Sequence, residues 1–130
     1  MIPVIDLMAE VAKLTRFART PTSPEADRRK GLASIAPYRD GGIFASTFTG
    51  TGGCERHPKG DEIVYILEGT TILRLLTDDG PQDQELRAGM MMIVPTGVWH
   101  RFESVSGVTL MAITPQPTDH PSVDVEDPRR

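Results

Sequence analysis

From Gly42 to about Thr114 the chain is a succession of short runs, each ended by a turn residue within a few positions. The runs fall near residues 43–49, 54–58, 62–68, 71–77, 84–87, 91–94, 98–104 and 108–114. They are too short for stable helices, and most are rich in the β-branched and aromatic residues that suit a pleated surface. Gly69 stands where a positive-φ residue is needed between two runs. Asp78-Asp79-Gly80-Pro81 has the composition of a hairpin turn, and Pro95-Thr96-Gly97 that of a tight turn. Several short strands at this spacing predict an all-β sandwich or barrel. No internal repeat is evident.

The flanks differ in character. Leu7, Val11, Leu14 and Ala18 form a helical stripe, widened by Met8 and Ala12. Asp6 can cap that helix, and Glu10 lies near its first turn. A strand over Ile2–Leu7 competes with it, and a short helix is the expectation. Residues 20–31 show no periodicity and read as an exposed loop, with Arg28-Arg29-Lys30 as a solvated cluster. The organisation is then a helix-and-loop extension over 1–41, a barrel over 42–114 and a tail over 115–130. The tail holds four prolines, and it is either mobile or laid across a neighbouring surface.

The 130 residues suffice for one domain with a single core. Net charge is -4 and acidic residues are spread along the chain, so nucleic acid is not an expected partner. No apolar run approaches the ~20 residues that cross a bilayer. The first residues lack the basic region and long apolar stretch of a signal peptide. Cys54 is the single cysteine, which excludes an internal disulfide. A cytoplasmic setting is expected.

Two of the three histidines lie in turn-flanked stretches. His57 precedes Glu62, and His100 follows the Pro95-Thr96-Gly97 turn. Two imidazoles and a carboxylate projecting from sheet strands can form a facial metal site with open positions. Strand alternation puts Glu55 and His57 on one face, Glu62 with Val64 and Ile66, and His100 with Val98 and Phe102. Trp99 and Arg101 then point the other way. Each residue also has a plainer role open to it. His57 and His100 can be buried histidines bonded to carbonyls. Glu55 can pair with Arg39 or Arg101. Cys54, Tyr65 and Trp99 suit packing, and Met90-Met91-Met92 suits core and rim filling. His120 falls in the tail and is expected to be exposed.

These stretches resemble the two motifs of the cupin superfamily. The first runs Gly, five residues, His-x-His, three or four residues, Glu, six residues, Gly; His57, Glu62 and Gly69 match its later part. The second runs Gly, five residues, Pro-x-Gly, two residues, His, three residues, Asn; Gly89, Pro95, Gly97 and His100 match it. The chain departs from the pattern at Glu55, where the first histidine usually stands, and at Ser104, where asparagine usually does. Gly50, Gly52 and Gly53 lie around the expected initial glycine rather than at it. The resemblance covers about Gly42 to Thr114. It implies a double-stranded β-helix, or jelly-roll, barrel with a site in its mouth, and assembly as a homodimer.

His57, Glu62 and His100 are the metal-ligand candidates, with Glu55 as a further ligand or a general base. With Glu55 added, the donors are two nitrogens and two carboxylates. Such a set favours Mn²⁺, Fe²⁺, Ni²⁺ or Zn²⁺ over Cu(I). It leaves a divalent ion formally neutral and less able to acidify a bound water than a three-histidine site. The expectation is a metal-binding cupin acting on a small molecule in the barrel mouth. The alternative is a small-molecule-binding or sensor cupin without turnover, with or without a metal. The sequence does not decide whether the protein is an enzyme.

Overall fold

The computed structural model describes residues 2–121 and 125–130. Its elements, in chain order, are α1 (Leu7–Ala12), β1 (Phe17–Arg19), α2 (Glu25–Gly31), β2 (Leu32–Tyr38), β3 (Gly41–Thr51), β4 (Glu62–Thr77), β5 (Gly80–Arg87), β6 (Met91–Val94) and β7 (His100–Pro115). The strands run in the order β1-β3-β7-β4-β5, with β2 on β3 and β6 on β4. β4 and β7 are long enough to serve both layers. β4 pairs with β6 along its first part and with β5 along its second, while β7 follows it throughout. The result is a jelly-roll barrel. No helix among the described residues is long and apolar enough to cross a membrane.

Several expected runs fuse. Residues 62–68 and 71–77 are one strand, bent where the register shifts around Gly69. Residues 98–104 and 108–114 likewise merge into β7, which bends at Gly107. Gly69 and Gly107 have φ of 76° and 113°, and a Cβ on Gly69 would collide with the Gly107 carbonyl oxygen. The two glycines let adjacent strands bend together at one place. The hairpin and tight turns form as expected, with Gly80 and Gly97 at positive φ.

The N-terminal expectations need correction. The helix is present and Asp6 caps it, accepting from the Ala9 N–H at 3.0 Å. It stops at Ala12, and Phe17–Arg19 pairs in parallel with β3 instead. Residues 20–31 are not all loop, because Glu25–Gly31 is a second helix. Its order comes from charge rather than from an apolar stripe. Glu25 and Asp27 lie in the first turn and Arg28, Arg29 and Lys30 in the last, as the helix dipole favours. Arg29 pairs with Glu25 at 2.8 Å and Lys30 with Asp27 at 3.8 Å. Residues 32–38, read as part of the extension, form a strand in the sheet.

The core lies between the layers and includes Phe48, Val64, Ile66, Leu73, Phe102 and Val108. A second, outer cluster joins Cys54, Leu76 and Trp99. The tail covers it, laid across its own barrel. Arg129 donates to the Leu76 and Thr77 carbonyls at 3.3 and 2.9 Å. The Cys54 thiol lies 3.8 and 3.7 Å from the carbonyls of Val125 and Glu126.

Candidate metal centre

The stretch 54–58, expected as a strand, is a loop pinned by isolated bridges on either side. Glu55 exchanges both backbone hydrogen bonds with His100 at 2.9 Å, and Arg56 exchanges two with Asp119 at 3.1 and 2.8 Å. The alternation survives without the strand. Glu55 and His57 line the interior cavity. Cys54 joins the outer cluster, and the Arg56 guanidinium lies 4.8 Å from the Trp99 ring centroid. Glu62 opens β4 and His100 opens β7, so the barrel brings four side chains to one place.

Donor atoms of Glu55, His57, Glu62 and His100 all lie within 4.8 Å of one another. His57, Glu62 and His100 are almost fully buried, whereas the Glu55 side chain is 21% exposed. His100 Nδ1 lies 2.9 Å from the Val98 carbonyl and donates its proton there. In the neutral ring this leaves the lone pair on Nε2. His57 Nδ1 lies 3.0 Å from the Thr118 hydroxyl, which can donate onward to Gln116 Oε1 at 3.4 Å. In that arrangement His57 Nε2 also carries its lone pair inward. Thr114 donates to Glu62 Oε2 at 2.6 Å and orients the carboxylate. The inward atoms, His57 Nε2, Glu62 Oε1 and His100 Nε2, face only one another, at 3.1 to 3.3 Å from the Glu62 carboxylate, and have no hydrogen-bond partner outside the cluster. Buried polar atoms without partners are costly. A cation among them satisfies all three, so the residues present fit a metal ion.

The electrostatics are those of a tight cluster. Burial works against ionising Glu62, but His100 and His57 outweigh it and hold its carboxyl at about 2. Burial likewise disfavours a charged His100, yet Glu55 and Glu62 raise it to about 10. Burial raises Glu55, and His100 beside it more than offsets this, with Arg19 assisting. The two carboxylates demand a cation here. Without metal, His100 supplies one by holding a proton.

Neither arginine expected beside Glu55 pairs with it. Arg39 donates to the Tyr38 hydroxyl at 3.1 Å on the surface, and Arg101 forms no ion pair with Glu55 among the described residues. The nearby cation is Arg19, which was missed because the preceding residues up to Ala18 were read into a helical stripe. Read as strand, Phe17 and Arg19 share one face. Thr114 and Thr118 were also missed; the motifs carry no signal for them. Met90 and Met91 are exposed and Met92 packs on the core, in keeping with rim and core filling. Trp99 is buried and His120 exposed, as expected.

A cavity of about 330 Å³ opens above the cluster. Glu55, His57 and Glu62 form its polar side, Thr114 and Thr118 lie beside them, and aromatic rings form much of the rest.

The comparisons agree with this fold. A cupin-2 domain containing protein from Shewanella frigidimarina superposes with a TM-score of 0.65 at 23% identity, over 87% of this chain and 95% of its own. A protein from Neisseria meningitidis gives 0.62 at 22% identity, over 88% and 100%. Hydroquinone 1,2-dioxygenase from a Sphingomonas species, solved with 4-hydroxybenzoate bound, gives 0.57 at 18%, over 66% and 65%. These likenesses concern the fold. No curated protein matches the chain. The family model for the cupin domain matches residues 49–114, half of the chain and the stretch that carries all four cluster residues, and the chain belongs to the cupin family.

Proposed function

We propose that the protein is a metal-dependent cupin that binds one divalent transition ion through His57, Glu62 and His100 and acts on a small molecule held in the cavity. The observation that supports this most is the convergence beneath that cavity of three buried donor atoms that have no partner outside the cluster. A bound ion would polarise a ligand oxygen and offer open coordination positions. The chain's own groups do the rest. The Val98 carbonyl and Thr118 hold the imidazoles in the ligating tautomer, and Thr114 fixes the Glu62 carboxylate. Glu55, the most open of the four, completes the donor set or takes a proton from the ligand. The donor set favours Mn²⁺, Fe²⁺, Ni²⁺ or Zn²⁺.

A metal-free reading draws support from one feature. Glu62 lies 3.1 Å from His57 Nε2 and 3.3 Å from His100 Nε2, so a protonated His100 can balance the cluster without an ion. Thermal unfolding with each of the four ions separates the readings. The metal reading expects at least one ion to raise the midpoint of wild type and none to raise that of His100→Ala or Glu62→Gln. If no ion shifts wild type, the metal-free reading replaces it.

Assembly as a homodimer belongs to the same proposal. The register aligns Ile43, Ile113, Ile63 and Ile93 across four strands, and Ile93 is 55% exposed. An apolar row on an outer sheet face favours a second copy as its cover. Light scattering at micromolar concentration should give twice the 14.3 kDa chain mass. The monomer mass would refute the dimer. A cytoplasmic setting accords with a single cysteine, which excludes an internal disulfide.

A further inference from the structure

All four phenylalanines of the chain, Phe17, Phe44, Phe48 and Phe102, line the one cavity above the cluster. Two arginines, Arg19 on β1 and Arg28 on α2, line it as well. Neither guanidinium has a carboxylate within 4 Å or a hydrogen bond among the described residues, although most other arginines of the chain have one or the other. On α2 the contrast is local. Arg29 and Lys30 pair with acids of their own helix, whereas Arg28 turns to the cavity.

Arg19 is held by packing. Its guanidinium lies 5.0 Å from the Phe48 ring centroid. It also fills the space of a missing side chain, since a Cβ on Gly52 would stand 2.6 Å from Arg19 Cζ. The fold therefore sets this cation in place against backbone and ring and leaves its donors free. Burial disfavours its charge, Glu55 supports it, and Arg28 is near enough to disfavour it again. Two like charges at one wall of a partly apolar cavity cost stability unless an anion lies against them. Glu55 supports Arg19, but it lies 3.7 Å from His100 Nε2 and is shared with that ring, so this one carboxylate does not balance both guanidinium groups.

We infer that Arg19 and Arg28 form an anion-recognition wall, and that the small molecule taken into the cavity is an organic carboxylate with an apolar, ring-sized body. The inference shares its cavity with the proposed function, but the arginine pair stands whether or not metal binds. The guanidinium fork matches a carboxylate in geometry and charge. The phenylalanine rings match an apolar body. An inorganic anion would leave those rings uncovered.

The test is calorimetric titration of benzoate and hexanoate, each beside its neutral amide, with inorganic phosphate as the anion without a body. Metal-loaded and chelator-treated wild type are compared with Arg19→Gln, Arg28→Gln and Arg19→Lys. Wild type should bind at least one carboxylate about tenfold or more tighter than its amide. Arg19→Gln should erase that preference while retaining metal content, and Arg19→Lys should keep part of it. The preference should persist in chelator-treated protein, so loss of the metal reading leaves this one testable. Should Arg19→Gln fail to fold, Arg28→Gln and Arg19→Lys still report, each weakening the carboxylate more than the amide. Equal binding of acid and amide, no binding of any acid, or phosphate binding as tightly as the acids would overturn the inference. A preference that disappears with the metal and ignores the arginine substitutions would assign the anion to the ion and overturn it too.

Discussion

Thr114 shows how much of a site can rest on a residue outside its motifs. Its hydroxyl bonds the Glu62 carboxylate at 2.6 Å inside the barrel. Thr114→Val preserves shape and removes that bond, so metal affinity should fall about 10- to 100-fold with little change in fold. Isothermal titration with Mn²⁺ or Zn²⁺ checks this; unchanged affinity would show that Glu62 needs no such support. Glu55 is decided by a different change. If it is a ligand, Glu55→Gln lowers metal affinity; if it is a base, occupancy holds and turnover of any substrate is lost. An effect on neither, with at most ~1 kcal/mol of lost stability, would reduce it to an electrostatic neighbour. At this scale the sequence was legible where a motif fixed spacing. His57, Glu62, His100 and the parity of Glu55 could all be read. Arg19, Thr114 and Thr118 could not, because their roles exist only once distant elements meet.

The element that most alters the picture is the tail. It covers Cys54 and Trp99, bridges Arg56 through Asp119 and brings Thr118 to His57. Truncation after Pro117 should therefore expose the single tryptophan and the single cysteine together. The expected outcome is red-shifted tryptophan fluorescence, faster thiol modification and roughly 1–3 kcal/mol of lost stability. An unchanged emission maximum would show that the tail contributes no cover. Proline content marked this segment as irregular, and it is irregular, but composition carries no information about what it lies on. The helix at Glu25–Gly31 escaped notice for a related reason. It has almost no apolar stripe, and its signal was the sequence of acids followed by bases. β1 was hidden because three residues of parallel strand owe their form to β3, not to their own propensity.

For the whole molecule, the buried cluster ties stability to pH. Glu62 is held at about 2 against an ordinary 4.5, so its contribution is present above 4.5 and lost as pH falls through 2. His100 is raised to about 10 from 6.5, so its contribution is present below 6.5 and lost as pH rises through 10. Metal-free protein should be most stable between these limits, and urea titrations across pH should show loss on both sides. A bound ion replaces the His100 proton and should flatten the alkaline fall. The jelly roll itself was readable from strand and turn spacing, whereas Gly69 was read as a turn between two strands rather than a bend within one, and Gly107 was not singled out. The central claim is that His57, Glu62 and His100 hold a metal ion. Elemental analysis of untagged protein, incubated with a divalent ion and desalted, tests it most directly. The prediction is one transition ion per chain in wild type and none in His100→Ala; wild type that retains no ion would contradict it.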